Sequence, residues 1–162
     1  MRIIWAPWRI KYINESKTKK GCFICEIIKE NKDEENLVLY RGKNTIIIMN
    51  KFPYNSSHIM ISPLRHIKNF YELTDDEINE IFKLISKSQK IIENLFKPDG
   101  FNLGVNIGKA SGAGEEHLHF HLVPRWFGDT NFMTVFIETR VMPESIFEIY
   151  KKLKEGFIES NR

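Results

Sequence analysis

The sequence lacks the features that mark membrane and secreted proteins. Its longest apolar runs, such as Ile46 to Met49, are strand-sized and far shorter than the roughly 20 residues that span a bilayer. The first residues interleave tryptophan with arginine and lack the apolar segment of a secretory signal peptide. No repeat, linker or low-complexity stretch divides the 162 residues. We therefore expect one cytoplasmic domain with no membrane partner.

A strong excess of charge is also missing. The chain has 24 lysines and arginines against 21 aspartates and glutamates, a formal net charge of +3. Domains that bind nucleic-acid polymers usually present a strongly basic face, so we expect no such partner. The balance is compatible with a small anionic ligand that is bound by a few local donors.

Cysteine is scarce, and its two copies form a Cys-x-x-Cys pair at Cys22 and Cys25. In a reducing compartment such a pair indicates metal binding or redox chemistry before a structural disulfide. The spacing is that of half a tetrahedral zinc site, and the five histidines would have to supply the other ligands. The alternative is two small buried thiols at helical spacing.

The pattern of apolar residues predicts an α+β domain with an antiparallel sheet of about five strands and helices packed on one face. Residues 1–21 would form an N-terminal arm, 22–140 the core and 141–162 a C-terminal helical segment. Thr74-Asp-Asp-Glu77 matches a capping box and begins the clearest helix. The predicted helices are Cys22–Glu30, Thr74 to Pro98 and Pro143–Phe157. The predicted strands are Leu37–Arg41, Asn44–Asn50, His58–Ser62, Phe101–Ile107 and His117–Val123.

Three histidines alternate with apolar residues at His117, His119 and His121. On a strand, alternate side chains share a face, so the imidazoles would face a site and Leu118 and Phe120 the core. Clustered imidazoles can bind a transition metal, or they can act on phosphate as nucleophile and hydrogen-bond donors. The alternative is that the three histidines are simply polar residues on a solvent-facing edge of the sheet.

The glycine-rich segment Gly108–Gly114 favours the phosphate interpretation. Its glycines allow successive backbone N–H groups to converge on an anion, and Lys109 and Ser111 add a charge and a hydroxyl. Arg125 follows the predicted strand and adds a further positive charge. Alone, such a loop would more often be an ordinary connection between strands.

The segment Glu116-His-Leu-His-Phe-His-Leu-Val-Pro-Arg125 resembles the signature of the histidine-triad (HIT) family. The resemblance extends to Asn50 and the Phe-Pro-Tyr-Asn loop after it, to His58, and to Phe101–Gly108. It covers about residues 22 to 140 and is closest to the dinucleoside polyphosphate branch. It implies a HIT-like sheet, a nucleotide substrate and a homodimer.

The resemblance also implies roles for single residues. His119 would attack the α-phosphate and form a nucleotidyl-histidine, His121 would contact the phosphate, and His58 and His117 would support the triad. Asn50 would bind the ribose and Asn106 the ribose or phosphate, while Phe52 is by position a candidate base contact. The predicted phosphate-binding loop residues are Lys109, Ser111, Gly112, Ala113 and Gly114. Two positions depart from the family: Gly114 replaces a serine or threonine, and Ser57 replaces the glycine before His58.

In zinc-containing members of the family a histidine upstream and the first triad histidine complete the metal site. Carried over, the ligands here would be Cys22, Cys25, His66 and His117. Such a closed set leaves no position for water, so the zinc would be structural. We expect no organic cofactor.

The leading hypothesis is therefore an enzyme that cleaves a nucleoside polyphosphate, with diadenosine tetraphosphate as the substrate and water or phosphate as the acceptor. The alternatives are a phosphoramidate hydrolase of the same family and a nonenzymatic zinc-containing nucleotide sensor. A cupin-like metalloenzyme would need a further downstream ligand, normally histidine, and no histidine follows His121.

Overall fold

A computed structural model describes residues 21–129 and 144–161. Its five strands form one antiparallel sheet in the order β1-β2-β3-β5-β4, with helices around it, which confirms the predicted α+β class. The strands are β1 (Val38–Arg41), β2 (Thr45–Met49), β3 (Ile59–Pro63), β4 (Gly100–Val105) and β5 (Phe120–Arg125). The helices are α1 (Phe23–Lys29), α2 (Asp75–Phe96) and α3 (Ile146–Glu159), with short 3-10 turns at Phe70–Glu72 and Lys109–Ser111.

Two apolar clusters cover the two faces of the sheet. Ile47 and Met49 belong to the larger cluster, which includes residues of α2 and α3, whereas Ile46 and Ile48 belong to a smaller one that packs against α1. Because successive strand residues point to opposite faces, every residue of β2 is buried. The two long helices thus share one face as predicted, and the short α1 lies on the other.

Helix α2 begins where the capping box predicted it. Thr74 Oγ1 accepts a hydrogen bond from the backbone N–H of Glu77, and the Glu77 carboxylate accepts one from that of Thr74. Arg65 donates two further bonds to the same buried carboxylate, both at 2.8 Å. The helix ends at Phe96, and the C-cap residue Lys97 adopts a left-handed conformation immediately before Pro98.

The prediction that all three triad histidines lie on one strand is wrong for the first two. Strand β5 begins at Phe120, so His117 and His119 precede it. Leu118 N–H donates instead to the Ile67 carbonyl at 2.7 Å, and the Leu118 carbonyl accepts from Ser62 Oγ at 2.8 Å. The apolar residues between and after these histidines nevertheless face the core as predicted, because Leu118, Phe120 and Leu122 all belong to the larger apolar cluster.

The predicted N-terminal arm falls almost entirely outside the described residues, apart from Gly21, and α3 occupies the predicted C-terminal helical segment. No helix within the described ranges combines the length and apolarity needed to cross a membrane.

The Arg65–Glu77 contact predicts an acid-sensitive contribution to stability. Hydrogen bonds from Arg65 lower the pKa of Glu77 to about 2, below the roughly 4.3 of an unfolded chain. The stabilisation is therefore fully present above the unfolded value and is lost as pH falls through the folded one. We expect Glu77→Gln to lower the free energy of unfolding by about 2 kcal/mol at neutral pH, after a discount for the half-exposed side chain of Arg65.

Urea unfolding from neutral to acidic pH checks this expectation. The free energy of unfolding should fall less steeply with acid in Glu77→Gln than in the wild type. Glu93→Gln, an exposed carboxylate near the other end of α2, is the matched control. Equal acid slopes in the wild type and Glu77→Gln would contradict the argument.

Candidate functional site

A cavity of about 360 Å³ lies between α1, the ends of β2 and β3, and the loop that leads to the triad. Its polar lining includes His119, His121 and the backbone of Gly112 and Gly114. Its apolar lining includes Phe23, Ile27, Ile48 and Met60. A cavity of this size, with a few convergent polar groups and an apolar wall, is typical of a small-molecule site.

Most of the residues predicted to bind nucleotide line this cavity. They are Asn50, Phe52, Asn106, Gly112, Gly114, His119 and His121. Lys109, Ser111, Ala113 and His58 do not line it, and Ser111 Oγ donates to the Gly108 carbonyl at 2.8 Å. The charge expected from Arg125 is also directed elsewhere, because its guanidinium binds Asp129 and Asn102.

A backbone carbonyl fixes the tautomer of His119. Nδ1 lies 2.7 Å from the carbonyl oxygen of His117, which can only accept, so Nδ1 carries the proton and Nε2 keeps its lone pair. Burial lowers the pKa of His119 below its ordinary value, which favours the neutral ring at pH 7. A neutral imidazole with a free Nε2 lone pair at a cavity wall can act as a nucleophile.

A second hydrogen-bond chain sets the tautomers of His58 and His121. The backbone N–H of Tyr54 donates to His58 Nδ1 at 3.1 Å, so the proton of a neutral His58 ring is on Nε2. That Nε2 lies 2.9 Å from His121 Nδ1 and donates to it. His121 therefore carries its own proton on Nε2, which makes this atom a donor. His58 does not line the cavity, and its hydrogen bond orients the ring of His121.

The amide of Asn50 is oriented in a similar way. Its Oδ1 accepts from the backbone N–H of Phe52 at 2.8 Å, which leaves the Nδ2 group as the donor at the cavity wall. The same side chain can thus offer a hydrogen bond to a hydroxyl or a phosphate oxygen.

The four residues that the resemblance implied as metal ligands lie together. Their ligand atoms all fall within 4.8 Å of one another. His117 Nδ1 is 3.4 Å from each sulfur, and His66 Nδ1 is 3.3 Å from the Cys25 sulfur. Tetrahedral zinc, with bonds of about 2.3 Å to sulfur and 2.0 Å to nitrogen, places such atoms roughly 3.5 Å apart. The cluster therefore could hold a metal ion of this kind.

The protonation of His117 also suits a ligand. Its Nε2–H donates to the Pro63 carbonyl at 2.9 Å, so the lone pair is on Nδ1, which faces the sulfurs. Burial lowers the pKa of His117 to about 4, so the ring is neutral at pH 7. Burial raises the pKa of Cys22 to about 12, and a bound metal would have to displace this proton.

Sequence reasoning missed the wall that α1 contributes. Phe23 and Ile27 line the cavity, as does Glu115, whose Oε2 accepts from the backbone N–H of Phe23 at 3.2 Å. The i, i+4 spacing of Phe23 and Ile27 beside Cys22 was a signal for this wall. The residue on the opposite wall could not be predicted, because Met60 lies on β3, which is distant from α1 in sequence.

Comparisons with known proteins identify the family of the chain. A family model described as the HIT domain matches residues 31–128. The AP-4-A phosphorylase of Mycobacterium tuberculosis is 37% identical over 149 residues, which cover 87% of this chain and 76% of that protein. A Schizosaccharomyces pombe Bis(5'-nucleosyl)-tetraphosphatase (asymmetrical) is 31% identical over 54% of this chain and 48% of that protein.

Solved structures show the same fold. A hypothetical histidine triad nucleotide-binding protein from Sulfolobus tokodaii superposes with a TM-score of 0.69 at 28% identity, covering 87% of this chain and 95% of that one. A Zn-bound histidine triad family protein from Mycobacterium smegmatis has a TM-score of 0.68 at 21% identity, over 90% and 97% of the two chains.

Ser57, which departs from the family pattern, carries a conformational cost. It is fully buried with a φ of +58°, and among the described residues its Oγ has no hydrogen-bond partner. We expect Ser57→Gly to raise the free energy of unfolding by about 1 kcal/mol, because glycine tolerates this φ and no buried hydroxyl remains.

Urea unfolding of three variants separates these causes. Ser57→Ala removes the hydroxyl but keeps the unfavourable φ, so its gain should be smaller than that of Ser57→Gly. Ser56→Gly is the matched control, since Ser56 does not have a positive φ, and it should lose stability. A loss of stability in Ser57→Gly would refute the conformational argument.

Proposed function

Because this chain belongs to the HIT domain family, we propose that it cleaves a nucleoside polyphosphate at the α-phosphate through a nucleotidyl-histidine intermediate on His119. The substrate we propose is diadenosine tetraphosphate, since the Mycobacterium tuberculosis relative is an AP-4-A phosphorylase. The observation that carries the proposal is the 2.7 Å contact from His119 Nδ1 to the His117 carbonyl, which leaves Nε2 as the free lone pair.

The first step is an attack of His119 Nε2 on the α-phosphorus. An N–P bond forms, the bond from phosphorus to the bridging oxygen breaks, and its electron pair leaves with the remaining polyphosphate. The ring of His119 becomes positively charged, and the His117 carbonyl at Nδ1–H stabilises this charge. His121 Nε2–H donates to the phosphate oxygens, where negative charge develops.

In the second step an acceptor oxygen attacks the same phosphorus, the N–P bond breaks, and His119 recovers its lone pair. Water as the acceptor gives AMP and ATP from diadenosine tetraphosphate. Phosphate as the acceptor gives ADP and ATP. The backbone N–H of Gly114 and the amide of Asn50 would contact the phosphates and ribose, and Phe52 and Phe23 would contact the base.

We also propose that Cys22, Cys25, His66 and His117 hold a zinc ion in a reducing cytoplasm, where both thiols stay unoxidised. Four protein ligands leave no position for a substrate, so the ion would supply structural support and no catalysis. It would fasten the N-terminus of α1 to the segment that precedes β5.

A homodimer is the third part of the proposal. Strand β4 ends the sheet, and among the described strands one of its edges has no neighbour. Leu103 on this strand is half exposed, and Phe70 and Phe82, which contact Phe120, are exposed as well. An exposed sheet edge beside aromatic side chains favours a two-fold contact with a second copy.

The nucleophile assignment predicts that His119→Ala abolishes turnover. We expect cleavage of diadenosine tetraphosphate to fall by at least about a thousandfold, since the variant lacks the nitrogen that forms the intermediate. The measurement is product analysis with and without added phosphate, resolving AMP, ADP and ATP. ADP that appears only with phosphate identifies a phosphorylase, and AMP with ATP in both conditions identifies a hydrolase.

Acid-quenched wild-type enzyme should retain a labelled nucleotide on protein, and His119→Ala should retain none. Residual cleavage near the wild-type rate in the variant would refute the role of His119. A wild type that binds AMP without cleavage would instead favour the nucleotide sensor. Cleavage of a nucleoside phosphoramidate alone would keep the nucleophile and replace the substrate.

The dimer predicts that a charge at Phe82 produces monomers. Phe82→Asp should shift the sedimentation coefficient from that of a dimer to that of a monomer, because a carboxylate would be buried without a partner. Phe147→Asp on α3 is the matched control, since Phe147 is 61% exposed against 56% for Phe82. Equal sedimentation of the wild type and both variants would place the contact elsewhere.

A further inference from the structure

His117 belongs to both candidate sites at once. Its fully buried ring directs Nδ1 to the two sulfurs and donates Nε2–H to the Pro63 carbonyl. Its own carbonyl, only a few bonds away, accepts the Nδ1–H of His119. Any movement of the His117 ring that turns its backbone would therefore change the hydrogen bond that fixes the tautomer of His119.

Helix α1 makes a second connection between the two sites. Phe23 lies between the two cysteines in sequence, its side chain lines the cavity, and its N–H is held by Glu115, another lining residue. The residues that would bind the metal and those that form the apolar wall thus share one short helix. A helix of seven residues has little stability of its own and depends on tertiary contacts.

The two ends of α1 are fastened differently. At the C-terminal end, Arg41 donates to the carbonyls of Ile27, Ile28 and Glu30 and also pairs with Asp33. These contacts need no metal. At the N-terminal end the side-chain contacts across to the triad segment come from Glu115 and the two thiols. Loss of a metal would weaken this end, which keeps the Glu115 bond, while the other end stays attached as before.

We propose that His117 is a positioning residue through which metal occupancy controls the nucleophile: the metal-bound form holds His119 in the Nδ1–H tautomer and the wall of α1 closed on the nucleotide. This inference rests on the proposed function and assigns it a regulator. By linkage, the metal and the nucleotide strengthen each other's binding by the same factor.

Histidine NMR tests the proposal directly, because all five histidines of the chain lie in these two clusters. The probe is the protein with ¹⁵N-labelled histidine, zinc-loaded or stripped with a chelator, at a pH where the rings are neutral. The zinc form should show two well-separated ¹⁵N shifts for His119, as a single tautomer does. The stripped form should show averaged shifts, and its affinity for AMP should fall on the order of tenfold.

His66→Ala separates metal loss from damage to the cavity, because His66 is a ligand that does not line it. This variant should reproduce the stripped form in both the His119 shifts and the AMP affinity. Lys68→Ala is the matched control: it breaks the Lys68–Glu116 ion pair beside His117 and leaves all four ligands intact. Its His119 shifts and AMP affinity should match those of the wild type.

If the stripped protein unfolds, equilibrium chelator competition on the zinc-loaded protein decides the question, and AMP should raise the chelator concentration needed to remove zinc. Identical His119 shifts and AMP affinity with and without zinc, or zinc release that is indifferent to AMP, would overturn the inference. A protein that binds no AMP in either form, while its His119 shifts still respond to zinc, would refute the proposed function and leave the positioning role of His117 standing.

Discussion

The hydrogen bond from Leu118 N–H to the Ile67 carbonyl is the contact on which the rest of the site depends. It replaces a rung of the sheet ladder and joins two segments that are distant in sequence. Because His66 precedes Ile67 and His117 precedes Leu118, the same bond brings two metal-ligand candidates together. A second hydrogen bond, from Ser62 Oγ to the Leu118 carbonyl, holds the segment around Leu118 against β3. Leu118 itself is anchored in the core.

Burial then decides the chemistry of the rings that this segment presents. Desolvation disfavours charge, so the pKa values of both His117 and His119 fall below the ordinary value. A protonated ring would have no lone pair for a metal or for phosphorus. The free energy that folding spends on burying these polar rings is offset where each ring nitrogen meets a backbone carbonyl.

Local features of this fold were readable from the sequence, and long-range partners were not. The capping box at Thr74 and the inward set Leu118, Phe120 and Leu122 depend on residues near one another, so pattern alone predicts them. The late start of β5 depends on a hydrogen bond to Ile67, which no local pattern encodes. Arg125 illustrates the same limit. The sequence suggested that it would bind an anion, but its guanidinium donates to Asp129 and Asn102.

The direction of hydrogen bonds to the backbone decides which ring nitrogen of each of these chemically identical side chains carries the proton. A carbonyl at Nε2 of His117 leaves the Nδ1 lone pair facing the two sulfurs, whereas a carbonyl at Nδ1 of His119 leaves the lone pair on Nε2. A backbone N–H at Nδ1 of His58 places the proton of that ring on Nε2, which donates to His121 Nδ1. His121 then carries its own proton on Nε2 and can donate it. Backbone amides do not titrate near neutral pH, so a carbonyl in such a position always accepts and an N–H always donates. The proposed order of ligand, nucleophile and donor along His117, His119 and His121 therefore follows from these backbone contacts, and imidazole alone could not specify it.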